Sequence, residues 1–159
     1  MAHLAYFLWL LAAGVDLSGT WKLDAARSES AHQAVPIGAV ILVIHQSPTG
    51  ITVETRRTEA GKSEVQTEIL RYLPNGAEMT TTIQDLPVKT KAHWDGNKWI
   101  TETERTINGA SVTTRNVHTL NSNGKELKVE KTLMVQHGYQ FPGAKNYASG
   151  TDIFVKSAK

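Results

Sequence analysis

The sequence contains no cysteine among its 159 residues. Disulfides, thiolate catalysis and cysteine-based metal sites are therefore excluded. A basic block is also absent, because 17 Lys and Arg residues are interspersed with 15 Asp and Glu residues for a net charge of +2. A chain of this length predicts one domain with a hydrophobic core, and its charge pattern gives no indication of a nucleic-acid partner.

Long hydrophobic runs are scarce. The apolar run Leu4–Val15 has twelve residues, fewer than the roughly 20 that a membrane-spanning helix needs. Its length is typical of the apolar region of a signal peptide, although no Lys or Arg precedes it. Residues 1–15 are therefore predicted to be an export signal of a periplasmic or secreted protein. The alternative is an apolar segment packed on a cytoplasmic protein or on a second copy of the chain.

Residues 16–159 are predicted to form a single all-β domain, as a monomer or a homodimer. Short runs rich in Val, Ile and Thr alternate with turn sequences at intervals of roughly ten residues, a spacing typical of antiparallel β-proteins. Four turns are Asn-Gly or Asp-Gly, at residues 75–76, 95–96, 108–109 and 123–124, which favour type I′ hairpins. The pattern predicts ten strands, with eight as the alternative, at residues 18–25, 39–46, 50–58, 63–73, 77–84, 87–94, 97–107, 110–121, 125–136 and 149–157.

Two-residue turns set the register of a hairpin, so cross-strand partners can be predicted. The predicted pairs are Tyr72 with Met79, Trp94 with Asn97, Ala92 with Trp99, Ile107 with Ala110, and Leu120 with Leu127. One face of these hairpins is then mainly apolar, while the other carries the charged row Lys89–Glu102–Arg115. Alternating charges on neighbouring strands are typical of a solvated face, so the apolar face is predicted to be the interior.

Three short motifs carry a resemblance to a known superfamily. They are Gly19-Thr20-Trp21 in the first strand, Trp-Asp-Gly-Asn at 94–97 and Asn-Gly-Lys-Glu-Leu at 123–127. The chain resembles the calycin superfamily, which includes lipocalins and fatty-acid-binding proteins, and is similar to a lipocalin-like group of exported bacterial proteins. The resemblance implies a closed antiparallel up-and-down barrel of 8–10 strands. It also implies that Trp21 seals one end, packed by a basic side chain from the last strand, here Lys156.

A barrel of this size has an interior that side chains nearly fill or that holds one small ligand. The predicted register directs several polar side chains inward, and the connection at 137–148 is predicted to lie at the mouth. Lys131 and Arg105 could bind a carboxylate, and the alternative is an internal ion pair of either residue with Glu68. The predicted ligand-binding residues are Tyr72, Trp99, Thr101, Arg105, Asn116, His118, Lys131, Tyr139 and Phe141.

The first functional prediction is binding of a small hydrophobic or amphipathic molecule. The alternative is a small barrel enzyme, a hydrolase or isomerase, with Glu68 as base, His118 as acid or base, and Lys131 or Arg105 as oxyanion stabiliser. A third reading is a filled barrel whose surface or N-terminal segment mediates assembly. No sequence motif for a nucleophile elbow, phosphate loop or dinucleotide site is present, and no metal, cofactor or integral membrane span is predicted.

Overall fold

The computed structural model of the chain describes residues 14–32, 37–136 and 147–158. It contains ten antiparallel strands, and two short 3₁₀ helices, Ala25–Arg27 and Glu29–His32, follow β1. The predicted all-β class and the count of ten strands are confirmed. The strands are β1 Gly19–Leu23, β2 Ile37–Ser47, β3 Gly50–Glu59, β4 Val65–Tyr72, β5 Met79–Ile83, β6 Leu86–Asp95, β7 Lys98–Ile107, β8 Ala110–Leu120, β9 Glu126–Gln136 and β10 Tyr147–Lys156.

The strands form one nearly closed up-and-down barrel. Every strand except β4 and β5 pairs with both of its neighbours in sequence, and β1 also pairs with β10. The barrel is incomplete at one place, because β4 and β5 are the two edges of the sheet. The Thr90 hydroxyl of β6 donates a hydrogen bond to the Arg71 carbonyl of β4 at 2.6 Å, which connects the two sides of the gap.

The predicted pairing of Tyr72 with Met79 is therefore wrong. Tyr72 pairs with Ile51 in β3, and Met79 pairs with Thr90 in β6. The connection between β4 and β5 spans residues 73–78 and contains a proline. A loop of this length does not impose the register that a two-residue turn would.

The register of β6 with β7 also differs from the prediction, by two residues. Trp94 pairs with Trp99 and Asp95 with Lys98, so the turn is Gly96-Asn97 rather than Asp95-Gly96. Gly96 has a φ of 58° while Asn97 has a negative φ, which is the pattern of a type II′ turn with glycine at its first central position. A shift of two residues leaves each side chain on its predicted face, so the predicted set of inward-facing residues is unchanged.

The outer charged row changes with this register. Lys91, rather than Lys89, lies opposite Glu102, and its ammonium is 2.8 Å from the Glu102 carboxylate. Arg115 pairs with Glu102 as predicted. The hairpins at 108–109 and 123–124 have the predicted registers, with Ile107 opposite Ala110 and Leu120 opposite Leu127.

The end of the barrel at Trp21 is filled by a hydrophobic core. Trp21, Leu17 and Leu127 have no exposed surface, and the Trp21 indole donates a hydrogen bond to the Leu17 carbonyl at 3.0 Å. The Lys156 ammonium lies 5.0 Å from the centre of the Trp21 ring, within the range of a cation–π interaction. The predicted closing pair is therefore present.

Several predictions concern residues that lie outside the described part of the chain. They include residues 1–13 and the mouth residues Tyr139 and Phe141, so the roles predicted for them stay predictions. Among the residues that the structure describes, no helix is long and apolar enough to cross a membrane.

Candidate functional site

The interior of the barrel is divided into an apolar floor and a polar upper half. Successive side chains of a strand point to opposite faces, so the residues that share the face of Trp21 and Trp99 point inward. Above Trp99, the inner face of β7 carries Thr101, Thr103 and Arg105. The neighbouring inner faces contribute Asn116 and Lys131. The strand alternation thus brings the predicted polar residues to one region.

Arg105 forms an internal ion pair with Glu68 across the β4–β5 gap. Its guanidinium donates two hydrogen bonds to the two carboxylate oxygens of Glu68, at 2.7 and 3.1 Å. The hydrogen bond with Glu68 is the main cause that raises the pKa of Arg105 above its ordinary value. The ion pair given as the alternative to ligand binding is therefore present for Arg105. About a third of each side chain remains exposed, 28% and 32%, so this part of the interior is open to solvent.

Lys131 pairs with a different carboxylate, that of Asp152 in β10. The Lys131 ammonium lies 3.7 Å from one Asp152 oxygen, which is a loose contact for a charged pair. Partial burial is the main cause that lowers the pKa of Lys131, while Asp152 opposes this shift and Arg57 adds to it. The Lys131 side chain keeps 36% of its surface exposed.

His118 lies in the floor rather than in the open part of the interior. It is 5% exposed, and its ring lies 4.8 Å from the Trp99 ring. The Nδ1 atom is 3.0 Å from the Trp99 carbonyl. Because a carbonyl only accepts, Nδ1 carries the proton of the neutral ring. Burial is the main cause that lowers the pKa of His118 to about 4, and the Lys131 charge adds to that shift.

A row of hydroxyl and amide groups separates the floor from the upper interior. The Tyr72 hydroxyl lies 3.2 Å from the Thr103 hydroxyl, and burial raises the pKa of Tyr72. The Thr101 hydroxyl and the Asn116 carbonyl oxygen, on paired positions of β7 and β8, are buried without a hydrogen-bond partner among the described residues. Buried polar atoms of this kind are normally satisfied by protein, water or ligand.

The three residues of the predicted catalytic group have separate partners. Glu68 is bound by Arg105, His118 by the Trp99 carbonyl, and Lys131 is paired with Asp152. A general base must reach the proton that it removes, and the Glu68 carboxylate is already occupied on both oxygens. The enzymatic role of these residues stays a prediction that no contact in the described part of the chain supports.

Two charged residues on the inner faces were missed by the sequence analysis, the buried Asp152 and the exposed Arg57. Asp152 lies two positions before the inward Phe154, and Arg57 follows Ile51, Val53 and Thr55 on the inner face of β3. The alternation along each strand was the available signal, but the register of β10 and β3 was not fixed by a two-residue turn. Arg57 forms no ion pair within the described residues, although its charge acts on Lys131.

Two other concave regions lie away from this polar interior. A cavity of about 190 Å³ opens at the end of the barrel that holds the β2–β3 and β6–β7 turns, beside Tyr72, Trp94 and Trp99. A cleft of about 300 Å³ lies on the outer face beside Ile100 and Arg115. The polar interior is the region that collects most of the ligand-binding residues predicted from the sequence.

Comparison with known proteins identifies the fold but no family. No family model matches the sequence, and no curated protein matches it either. A secretory abundant heat soluble protein from Ramazzottius varieornatus superimposes with a TM-score of 0.56 at 14% identity, over 88% of this chain and 94% of that one. A second such protein, number 4 from the same organism, gives a TM-score of 0.53 at 14% identity, over 91% and 97%.

This chain has the calycin-like barrel fold. The two superpositions share that architecture over nearly their whole length, and the resemblance inferred from the Trp21 motif is confirmed at the level of the fold. A fatty acid binding protein from Schistosoma mansoni, solved with arachidonic acid, superimposes with a TM-score of 0.47 at 13% identity, over 89% of this chain and 96% of that one. Fold alone does not assign a ligand.

Proposed function

We propose that the upper interior of the barrel binds a small amphipathic molecule that carries an anionic group. The observation that carries this proposal is the Lys131 ammonium. It points inward, keeps about a third of its side chain accessible, and has one loose ionic contact at 3.7 Å. An ammonium has three donors, so Lys131 retains hydrogen-bonding capacity for a ligand.

The surroundings of Lys131 favour an anion with an apolar portion. Arg57 brings a further positive charge to the inner face of β3, while the charge of Arg105 on β7 is paired with Glu68. Apolar side chains lie on the inner faces of β6, β8 and β9, including the buried Val88 and Val112 and the partly buried Leu133. Apolar walls with a few placed polar groups are the usual composition of a small-molecule site.

A pair of fluorescent probes tests this proposal. 8-Anilinonaphthalene-1-sulfonate (ANS) is an anionic amphiphile, and N-phenyl-1-naphthylamine (NPN) has the same ring system without the sulfonate. We expect the protein to bind both probes, and we expect Lys131→Met to weaken ANS binding by about fivefold, the size of one partly exposed charge contact. Binding of NPN should stay unchanged because it offers Lys131 no charge.

Lys128→Met is the matched control. Lys128 lies on the same strand with the opposite facing, and its ammonium is 3.3 Å from Glu130 on the outside of the barrel. This variant removes the same net charge without changing the interior. Equal ANS affinity in the Lys131 and Lys128 variants would remove Lys131 from the site, and failure of the native protein to bind either probe would contradict the proposed function.

A further inference from the structure

Asp152 is a carboxylate in the barrel wall with two partners of different kinds. Its side chain is 6% exposed, so its charge needs partners within the protein. One oxygen accepts a hydrogen bond from the Ser30 backbone N–H at 3.0 Å, and the other lies 3.7 Å from the Lys131 ammonium. Asp152 thus connects the candidate ligand-binding cation to the chain segment that follows β1.

That segment, residues 25–32, bonds to β10 through Ser28 and Ser30. It is called here the mouth segment, because β1 is antiparallel to β10 and its end points toward the start of β10, where the predicted mouth connection 137–148 joins the barrel. The Ser28 hydroxyl accepts a hydrogen bond from the Ile153 N–H at 2.9 Å. Glu29 crosses the inner side of Gly150, where a Cβ atom would lie 3.1 Å from its carboxylate. Gly150 is paired with Lys131, so the contacts of the mouth segment are made beside this lysine.

Asp152 competes with any approaching anion for the Lys131 ammonium. An anionic group bound to Lys131 would lie next to the Asp152 carboxylate. Two neighbouring negative charges repel each other strongly in a partly buried site. Arg57 on β3 offsets part of this repulsion. The remaining repulsion can be relieved by moving Asp152 away from Lys131, which disturbs its hydrogen bond with Ser30.

We propose that Asp152 lowers the affinity of the barrel for anionic ligands and couples their binding to release of the mouth segment. This inference rests on the proposed function of the upper interior. By linkage, a ligand that loosens the Ser30 contact binds more tightly when that contact is already weakened. The same residue therefore sets the preference between anionic and neutral ligands and controls the chain beside the mouth.

The affinities of ANS and NPN for Asp152→Asn test the first half of this proposal. Asparagine keeps an oxygen that can accept from the Ser30 N–H and removes the charge. We expect ANS to bind about fivefold more tightly to this variant, with no change for NPN. Glu130→Gln is the matched control, because Glu130 lies next to Lys131 in sequence but faces outward toward Lys128, and its ANS affinity should equal that of the native protein.

Amide hydrogen exchange at Ser30 tests the second half. Saturation of the native protein with ANS should accelerate exchange of this N–H several-fold, while saturation with NPN should not. If both probes bind but the ratio of their affinities is the same in Asp152→Asn and native protein, or if ANS leaves Ser30 exchange unchanged, the inference is wrong while the proposed function stands. If neither probe binds the native protein, the proposed function and this inference both fail.

Discussion

At the scale of single residues, His118 illustrates how burial controls charge inside the barrel. Its imidazole lies against Trp99 and donates to the Trp99 carbonyl, so the neutral ring is satisfied on one nitrogen. Protonation would place a second positive charge near Lys131 in a site with 5% exposure. His118 is therefore held neutral in the folded protein near pH 7.

The first prediction concerns the stability of the protein against pH. The pKa of His118 is about 4 in the folded state and about 6.5 when unfolded, so the unfolded state binds more protons between these values. The free energy of unfolding therefore falls as pH falls through this window. The contribution of His118 is about 3 kcal/mol between pH 7 and pH 4.

Urea denaturation at pH 7 and pH 4 measures this contribution. The variant His118→Gln should lose less stability between the two pH values than the native protein does. His93→Gln provides the control, because His93 is exposed on the outer face and its replacement should leave the pH dependence unchanged. An identical pH dependence in His118→Gln and native protein would contradict the assignment of His118 as a buried neutral histidine.

The second prediction concerns Gly19 beside the closed end. Its φ is 143°, and an added Cβ atom would lie 2.7 Å from Cε of the Lys156 side chain that covers Trp21. Gly19→Ala should destabilise the protein by about 1–2 kcal/mol, because the backbone is strained and Lys156 is displaced from the indole. Gly14→Ala is the control, since an added Cβ there meets no atom within 4 Å. Equal denaturation midpoints for the two variants would show that Lys156 moves without cost.

At the scale of elements, the hairpin between β6 and β7 shows where local sequence signals are ambiguous. The residues Trp94 to Lys98 can form a type I′ turn at Asp95-Gly96 or a type II′ turn at Gly96-Asn97, since both place glycine at a position of positive φ. The structure has the second arrangement, in which Trp94 lies opposite Trp99 and the two rings are 6.4 Å apart. Cross-strand aromatic pairs stabilise a hairpin, which favours this register.

The third prediction separates the two turn types. Gly96→Ala should destabilise the protein by about 1–2 kcal/mol because alanine is strained at the φ of 58°. Asp95→Ala should change the stability by less than about 0.5 kcal/mol, since Asp95 has an ordinary negative φ, whereas a type I′ turn at Asp95-Gly96 would need a positive φ there. At Asn108, where φ is 51°, the corresponding change to alanine should also destabilise. Thermal denaturation of the three variants measures these effects, and a loss for Asp95→Ala as large as that for Asn108→Ala would contradict the type II′ turn.

At the scale of the whole molecule, the gap between β4 and β5 is the weak place in the barrel wall. Every other neighbouring pair of strands is hydrogen-bonded. Here the two sides are connected by side-chain contacts, namely the hydrogen bond from Thr90 to the Arg71 carbonyl, the hydrogen bond between Tyr72 and Thr103, and the Arg105–Glu68 ion pair. Val65 and Ile69 on β4 are more than half exposed. Strand edges of this kind open more readily than paired strands.

The fourth prediction is that β4 and β5 have the least protected amides among the described strands. Hydrogen exchange should be faster in Val65–Tyr72 and Met79–Ile83 than in β8, which is paired on both sides. Exchange followed by mass spectrometry resolves these segments. Thr90→Val should accelerate exchange in β4 further because it removes the hydrogen bond from Thr90 to the Arg71 carbonyl. Equal protection of β4, β5 and β8 would show that the gap is closed in solution.

The roles assigned to the N-terminal segment and to the connection at 137–148 remain predictions. Residues 1–15 are predicted as an export signal, and most of them lie outside the described residues. The same applies to the mouth residues Tyr139 and Phe141. Cellular fractionation of the protein with and without residues 1–15 tests the predicted export signal. We expect that removal of this segment retains the protein in the cytoplasm.

The closing pair of Trp21 with Lys156 was expected from the resemblance to the calycin superfamily. The sequence by itself determined the all-β class and the inward and outward faces, and it favoured ten strands over eight. These features depend on local alternation and turn residues, and an error of two residues in the β6–β7 register left the faces unchanged because side chains alternate with a period of two. Only the tertiary structure decided which charged groups meet inside. Glu68 pairs with Arg105 across the gap, and Asp152 with Lys131 across a strand pair. Contacts between distant strands depend on the closure of the barrel, which no local pattern specifies.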